Sequence, residues 1–412
     1  MSYILTLLVI GLVLLFVTLG SGWIARIPLS YAIIYLIVGI FLGPQGISII
    51  DLRPGAQFIE RMTEIVVIVS VFSCGLKMNR PLKLAYWQTT IRSIGFLMPI
   101  SIIAIAAVAH WFLGIGWGSS VLLGAILAPT DPVLASEVQL AHIQDLDELR
   151  FGLTSEGGLN DALAFPFVYF GLFWFKDSNF DNWFQQWVLI DFIWAIAAGV
   201  VMGILVAKAV IWIGDRLQNF RSVDNLMEDF VGLSTILLTY SLTEIVNGYG
   251  FLAVFIAGVV VQRRYFDSQK QLSQLEFTEQ IEKLLEVATI LLLGGLLLID
   301  PLLNFAFAGL TVAIFLFFII RPVGAWLSTL GSHLPIPTRL LFGWFGIRGV
   351  GSIYYLTYSL SKGLSGDTGE QIAWITYIVI LCSILVHGIT ATPLMNWYEC
   401  QFKNNCPQVT EK

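Results

Sequence analysis

Two carboxylates and one amide, Glu156, Asp161 and Asn160, lie in an otherwise largely apolar run between Phe151 and Phe175. A carboxylate at the centre of a bilayer is unfavourable by roughly 2.5–3.5 kcal/mol on insertion scales, so an ionisable residue there is usually functional. Asp161 has about ten mostly apolar residues on each side, within a span of roughly 20. The run therefore predicts a membrane helix that carries a buried group able to hold a proton or a cation.

Helical geometry separates the two carboxylates of this run. At about 100° per residue, Asp161 shares one stripe with Thr154 and two glycines, whereas Glu156 and Asn160 share another. The small residues beside Asp161 would let a neighbouring helix approach closely. The two carboxylates are therefore expected to face different neighbours.

Glu156 needs a buried partner of opposite charge. We expect this partner to be Arg348, with Arg321 as the second candidate. An ion pair of this kind is neutral overall and is not expected to titrate near neutral pH. Asp161 is then the group that can bind either a proton or a metal cation.

Two stretches inside predicted spans break the rules of helix formation. In Ala128–Pro132, two prolines flank a Thr-Asp pair, and each proline removes a backbone donor and disfavours helix in the residue before it. In Gly343–Ser352, four glycines surround Arg348. Irregular backbone at membrane depth is tolerated where it is buried in protein or lines a polar cavity. Both stretches therefore predict interrupted helices inside the protein.

Interrupted helices in both halves of a chain are typical of secondary transporters, whose site lies at the midplane between inverted repeats. Helix ends carry partial charges, positive at the N-terminus and negative at the C-terminus. Asp131 suits a positive end and Arg348 a negative end. We expect both residues to stabilise the crossing of the two interrupted helices.

Composition predicts an all-α polytopic membrane protein. Hydrophobic residues make up 57% and charged residues 12% of the chain, against about 45–50% and 25% in soluble domains. The net charge of −6 and the lack of a basic patch argue against a nucleic-acid partner. The apolar runs predict about thirteen membrane spans, near residues 3–19, 29–43, 57–75, 91–113, 118–136, 151–175, 187–213, 229–246, 249–262, 284–299, 303–321, 339–360 and 371–395.

The basic residues predict the orientation in the membrane, because cytoplasmic loops carry an excess of Lys and Arg. With the N-terminus outside, 17 of the 22 Lys and Arg residues lie in inside loops or in the tail and four lie in outside loops. The prediction is a membrane domain over residues 1–398 and a short cytoplasmic tail over residues 399–412. The polar segment 263–283 is expected to form a short interfacial helix.

Several of these motifs together resemble the bacterial Na⁺/H⁺ antiporters of the NhaP type, in the family that includes the animal Na⁺/H⁺ exchangers. The strongest matches are Gly124–Pro132 (GAILAPTDP) and Thr154–Asp161 (TSEGGLND), which lie in adjacent spans. Arg321-Pro322 and Gly346–Gly349 (GIRG) also match, with weaker matches near Gly39–Pro44 and at Gly75-Leu76. The matching motifs extend over nearly the whole chain.

The resemblance implies that Asp161 binds Na⁺, Li⁺ or H⁺, that Ser155, Thr130 and Asp131 supply further oxygens to the ion, and that Asn160 also belongs to the ion-binding residues. It also implies that Asn160 marks an electroneutral, one-for-one exchanger. The resemblance further implies a homodimer in the inner (plasma) membrane, with a mobile core around 91–175 and 303–395 and a dimerisation domain formed by the other helices. No cofactor and no enzymatic activity are implied.

Two departures from the family pattern stand out. Ser73 and Cys74 occupy the place where many relatives have an acidic residue, and Ile347 replaces a common proline. The first departure is expected to alter ion affinity or selectivity, and the second only local stiffness.

Three other functions are alternatives to Na⁺/H⁺ exchange. K⁺/H⁺ exchange on the same fold is the strongest, because the sequence does not distinguish Na⁺ from K⁺. A channel would conduct without coupling, and the chain has no repeated filter sequence. An intramembrane aspartyl protease would use two carboxylates such as Asp131 and Asp161, but neither lies in the sequence context expected of such a protease.

Overall fold

The computed structural model describes residues 30–48, 56–140, 144–218, 225–265 and 269–402, together with the single residues Leu8, Gly11, Leu12, Leu15 and Leu19. The predicted span 3–19 and positions 403–412 of the predicted tail thus lie largely or wholly outside the described residues. Every regular element within the described ranges is helical, which confirms the all-α class.

The helices follow one another along the chain, and the segment between Leu127 and Glu148 contains the first interruption. Their bounds are α1 (Tyr31–Leu42), α2 (Ala56–Leu76), α3 (Leu84–Leu113), α4 (Trp117–Leu127), α5 (Glu148–Leu163), α6 (Phe165–Lys176), α7 (Phe184–Leu217), α8 (Asn225–Ile245), α9 (Gly250–Arg264), α10 (Gln269–Gly295), α11 (Ile299–Asn304), α12 (Ala306–Ser328), α13 (Ile336–Trp344), α14 (Val350–Ser361) and α15 (Gly366–Phe402). Each predicted span from 29–43 onward overlaps one or two of these helices.

Five segments are long and apolar enough to cross a membrane by length and composition alone. They are Leu84–Leu113, Glu148–Lys176, Phe184–Leu217, Ala306–Ser328 and Gly366–Phe402. Glu148–Lys176 is the run that carries Asp161, and it bends at Ala164 between α5 and α6. The bend precedes Pro166, which has no N–H to donate to the preceding turn.

The interruption predicted at Ala128–Pro132 is confirmed. The span expected over 118–136 is helical to Leu127, because Pro129 and Pro132 remove backbone donors, and a 3₁₀ turn, Ser136–Val138, follows.

One detail differs from the sequence prediction. The polar segment 263–283 does not form a separate interfacial helix. Most of it is the first half of α10, whose bounds are Gln269–Gly295, and Glu279, Glu282 and Lys283 of this segment line a cavity.

The centre of the fold is α2, which packs against α5, α9, α10 and α14. Its buried residues form one continuous apolar cluster with those of α4, α5, α9 and α14. This packing places α5, with Asp161, in the protein interior, next to the two chain interruptions.

Candidate ion-binding site

Asp131 joins the two interrupted helices. Its backbone N–H donates a hydrogen bond of 2.9 Å to the Ile347 carbonyl, so the irregular segments after α4 and α13 lie side by side. Its carboxylate accepts from the Val133 N–H at 2.9 Å and from the Val350 N–H at the start of α14. Negative charge at a helix N-terminus is stabilised by the helix dipole. Asp131 therefore caps α14, in the role predicted for it.

Asp161 lies in α5 against the same helix end. Its side chain is 1% exposed, and neither carboxylate oxygen has a hydrogen-bond partner among the described residues. Gly351, in the first turn of α14, lies so close that a Cβ there would collide with Asp161 Oδ1. A buried carboxylate without a partner is strongly unfavourable unless it binds a proton or a cation. Asp161 is therefore the candidate loading position, meaning the group that would hold either a proton or a cation.

Tyr355 fixes the backbone beside this carboxylate. Its hydroxyl donates to the Asp161 carbonyl, and the residue is fully buried. Tyr355 follows Gly351 by four positions, which places both residues on one face of α14. These two contacts were not predicted. The four-residue spacing of Gly351 and Tyr355 shows that they share a face of α14, but it does not show that this face packs against α5.

The predicted oxygen donors Thr130 and Ser155 differ in their placement. Thr130 is 5% exposed and adjoins Asp131 within the interruption. Ser155 has a hydrogen bond of 2.6 Å with the Thr90 hydroxyl and donates to the Gly152 carbonyl at 3.1 Å. Its position on α5 is roughly 120° around the helix from Asp161, at about 100° per residue. The structure thus places Ser155 at the interface with α3 and does not join it to Asp161 by a hydrogen bond.

Glu156 pairs with Arg321, and the expectation that Arg348 would be its partner was wrong. The Arg321 guanidinium donates to both carboxylate oxygens, one of them at 2.7 Å, and both side chains are buried. A π-helical turn over Leu316–Ile320 precedes Arg321 in α12. Such a turn shifts the following side chains around the helix axis, so a regular helical period could not show where Arg321 points.

Asn160 belongs to this ion pair. Its amide donates to Glu156 Oε1 at 3.1 Å, four positions earlier in α5, as the shared stripe predicted. Its amide oxygen is buried and has no hydrogen-bond partner among the described residues, so its place among the ion-binding residues stays a prediction.

Arg348 is 0% exposed, and its three guanidinium nitrogens have no hydrogen-bond partner within the described ranges. The backbone holds it in place, since its N–H donates to Ser383 Oγ at 2.7 Å. Its charge interacts favourably with Glu156 and Asp161 and unfavourably with Arg321. Arg348 is thus a fixed positive charge beside the crossing, and its role opposite helix C-terminal ends stays a prediction.

Two cavities approach the crossing from different groups of helices. One, of about 690 Å³, is lined by residues that include Lys77, Val133 and Glu282. The other, of about 720 Å³, is lined by residues that include Arg61 and Tyr354. Neither Asp131 nor Asp161 is among the described residues that line them. The loading position is therefore closed to both cavities in this structure.

Known proteins are similar to this chain over most of its length. The K⁺/H⁺ antiporter NhaP of Alkalimonas amylolytica is 25% identical over 96% of this chain and 67% of its own length. The Na⁺/H⁺ antiporter of Schizosaccharomyces pombe is 26% identical over 94% of this chain and 89% of its own length. The chain spans about two thirds or less of the length of the K⁺/H⁺ antiporters that it matches.

A solved structure has the same fold. The sodium proton antiporter MjNhaP1 from Methanocaldococcus jannaschii superimposes with a TM-score of 0.73 at 24% identity, covering 94% of this chain and 98% of that one. This match confirms the polytopic fold with interrupted helices. The sodium/hydrogen exchanger transmembrane family matches residues 5–397. The chain is a multi-pass membrane protein and belongs to the sodium/hydrogen exchanger family.

Proposed function

We propose that the protein exchanges Na⁺ or Li⁺ for H⁺ across the membrane, with both ions competing for Asp161. The observation that carries this proposal is the buried Asp161 carboxylate, which has no hydrogen-bond partner among the described residues and lies at the crossing of the two interrupted helices. Hard cations of this kind take oxygen ligands. A group that carries either ion, but not both, couples the two gradients without a cofactor or an enzymatic step.

The two cavities support alternating access. They lie on different sides of the crossing, and the loading position is sealed from both. The first is lined by Lys77 and Lys283, which the sequence predicts to be cytoplasmic, and the second by Arg61 and Lys362, which it predicts to be outside. A small movement of the helices around the crossing would open Asp161 to one cavity at a time.

One-for-one stoichiometry follows from the states of the neighbouring charges. Glu156 is bound by Arg321 at two points, Asp131 caps α14, and Asn160 cannot titrate. Of the residues at the crossing, only Asp161 then changes its load during the cycle. We therefore propose electroneutral exchange.

K⁺/H⁺ exchange is the second candidate, and the similarity to K⁺/H⁺ antiporters of the same family favours it. Proteoliposomes that report internal pH distinguish the two candidates when Na⁺, Li⁺ or K⁺ is added outside. A pH response to Na⁺ and Li⁺ at lower concentrations than to K⁺ supports the main proposal. A preference for K⁺ supports the second candidate, and no response to any of the three ions contradicts both.

We also propose that the protein is a homodimer in the plasma membrane, with its N-terminus outside and its C-terminus cytoplasmic. The charge distribution along the sequence supports the orientation. Thiol labelling from each side of intact cells, with single cysteines placed at Lys362 and Arg339, tests it. The first should react from outside and the second only after permeabilisation.

A further inference from the structure

Three carboxylates of α10 line the cavity on the predicted cytoplasmic side. Glu279, Glu282 and Glu286 are spaced by three and four positions, which places them on one face of the helix. They differ in their partners. Glu279 is bound to the ammonium group of Lys77 at 2.8 Å, whereas Glu282 lies one turn farther along α10.

Glu282 reaches across to hydroxyl groups on α2. Its Oε1 accepts a hydrogen bond of 2.6 Å from Ser70 Oγ, and Ser70 is fully buried. Ser73 follows Ser70 by three positions, which places both hydroxyls on the face of α2 that meets Glu282. Ser73 is 1% exposed, and its hydroxyl makes no regular hydrogen bond with any residue in the described ranges. One carboxylate and two hydroxyls thus converge at the cavity wall, with a buried hydroxyl oxygen still available.

This group of oxygens lies beside the loading position. Cys74 follows Ser73 and packs against α5 at Gly158, where a Cβ would approach the Cys74 Cβ to 2.8 Å. Gly158 lies on the same stripe of α5 as Asp161, one turn before it. Glu282 lines the cavity and accepts from Ser70 of α2, the helix that packs against α5 next to Asp161. Glu282 therefore connects the cavity wall to the helices of the crossing.

We infer that Glu282, Ser70 and Ser73 form a second binding position for a monovalent cation, between the cytoplasmic cavity and Asp161. The inference rests on the proposed function, since it assigns this position to the path of the exchanged cation. Carboxylate and hydroxyl oxygens are the ligands that hard cations take. The position holds the cation near the crossing before Asp161 becomes accessible.

A purely structural role for Glu282 makes a different prediction. Lys77 is close enough to Glu282 for their charges to interact, so Glu282 could serve only as a second counterion for this ammonium group. In that case, neutralising Glu282 would lower thermal stability but leave cation binding unchanged. The two roles are therefore separated by measuring binding and stability on the same variants.

The test is equilibrium binding of radioactive sodium and rubidium to the purified full-length protein, without transport. The Asp161→Asn variant should still bind a cation, because the second position remains, and the Asp161→Asn/Glu282→Gln variant should lose this binding. The matched control is Asp161→Asn/Glu276→Gln, since Glu276 lies on the same helix but is exposed and does not line the cavity. The control should bind as Asp161→Asn does.

A milder variant covers the case in which Glu282→Gln does not fold. Ser73→Ala in the Asp161→Asn background should weaken cation binding about tenfold, in the range reported for loss of a ligand-supporting group. In the otherwise unchanged protein, Glu282→Gln should raise the cation KM for exchange with a smaller effect on the maximum rate.

Absence of cation binding in Asp161→Asn would overturn the second position, as would unchanged binding after Glu282→Gln or Ser73→Ala. Neither result bears on exchange by the unaltered protein, which the pH measurement in proteoliposomes tests separately.

Discussion

Arg321 holds both carboxylate oxygens of Glu156 from a position 165 residues farther along the chain. Both side chains are buried, and Asn160 donates to the same carboxylate at 3.1 Å. This ion pair ties α5 to α12. The pair therefore fixes the rotation of α5 about its axis. This rotation sets the direction in which the Asp161 carboxylate points.

The first prediction concerns this ion pair. Glu156→Gln and Arg321→Met should each destabilise the protein by about 3–5 kcal/mol, because each strands a buried charge. The double variant should recover part of the loss, which unfolding of the purified protein can measure as a coupling energy. The same cycle with Arg348→Met is the control and should show weaker coupling to Glu156. Equal or stronger coupling to Arg348 would contradict the pairing.

The second prediction tests the close approach of α14 to Asp161. Gly351→Ala would push a methyl group into the Asp161 carboxylate, so the apparent affinity for the cation in exchange should fall. Gly214→Ala is the matched control, because no atom lies within 4 Å of the added Cβ in α7. The control should exchange normally and gain up to about 1 kcal/mol in stability. Equal exchange by both variants would argue against the contact.

The third prediction separates the capping role of Asp131 from a general loss of stability. Asp131→Ala removes the acceptor for the Val350 N–H and should cost about 0.5–2 kcal/mol, whereas Asn retains an acceptor and should cost less. Both variants should exchange poorly, since the charge at the crossing is lost. Asp147→Ala removes the cap of α5 at its exposed end and serves as the control. It should lower stability to a similar degree but leave exchange intact.

The fourth prediction is electroneutrality. A pH gradient should drive Na⁺ uptake into vesicles to an extent that does not change with an imposed membrane potential. One net charge moved across roughly 100 mV is worth about 2.3 kcal/mol, which would visibly shift the Na⁺ distribution. A shift of that size would require a second group that changes its load. Among the residues at the crossing, Glu156 would then be the first to neutralise.

The sequence predicted the features that depend on local chemistry. Prolines at 129 and 132 and the glycines around Arg348 marked both interruptions, because these residues act on the backbone where they stand. The sharing of one stripe by Glu156 and Asn160 was also confirmed, since it depends only on helical period. These features need no knowledge of which helices are neighbours.

Features that depend on packing between distant helices were not predictable in this way. The pairing of Glu156 with Arg321 depends on a π-helical turn that no period in the sequence reveals. The bond between Ser155 and Thr90 and that between Glu282 and Ser70 depend on which helices meet. The same holds for the contact between Gly351 and Asp161.

The most direct test of ion competition at Asp161 is Na⁺-dependent proton movement in proteoliposomes. These contain either the unaltered protein or Asp161→Asn. Thermal unfolding and size-exclusion chromatography should first show that the variant is folded and assembled like the unaltered protein. Addition of Na⁺ should then change the internal pH only with the unaltered protein, because Asn keeps the shape of Asp161 but cannot bind a proton in exchange for a cation. Unaltered turnover by Asp161→Asn would contradict the assignment of Asp161 as the position at which the two ions compete.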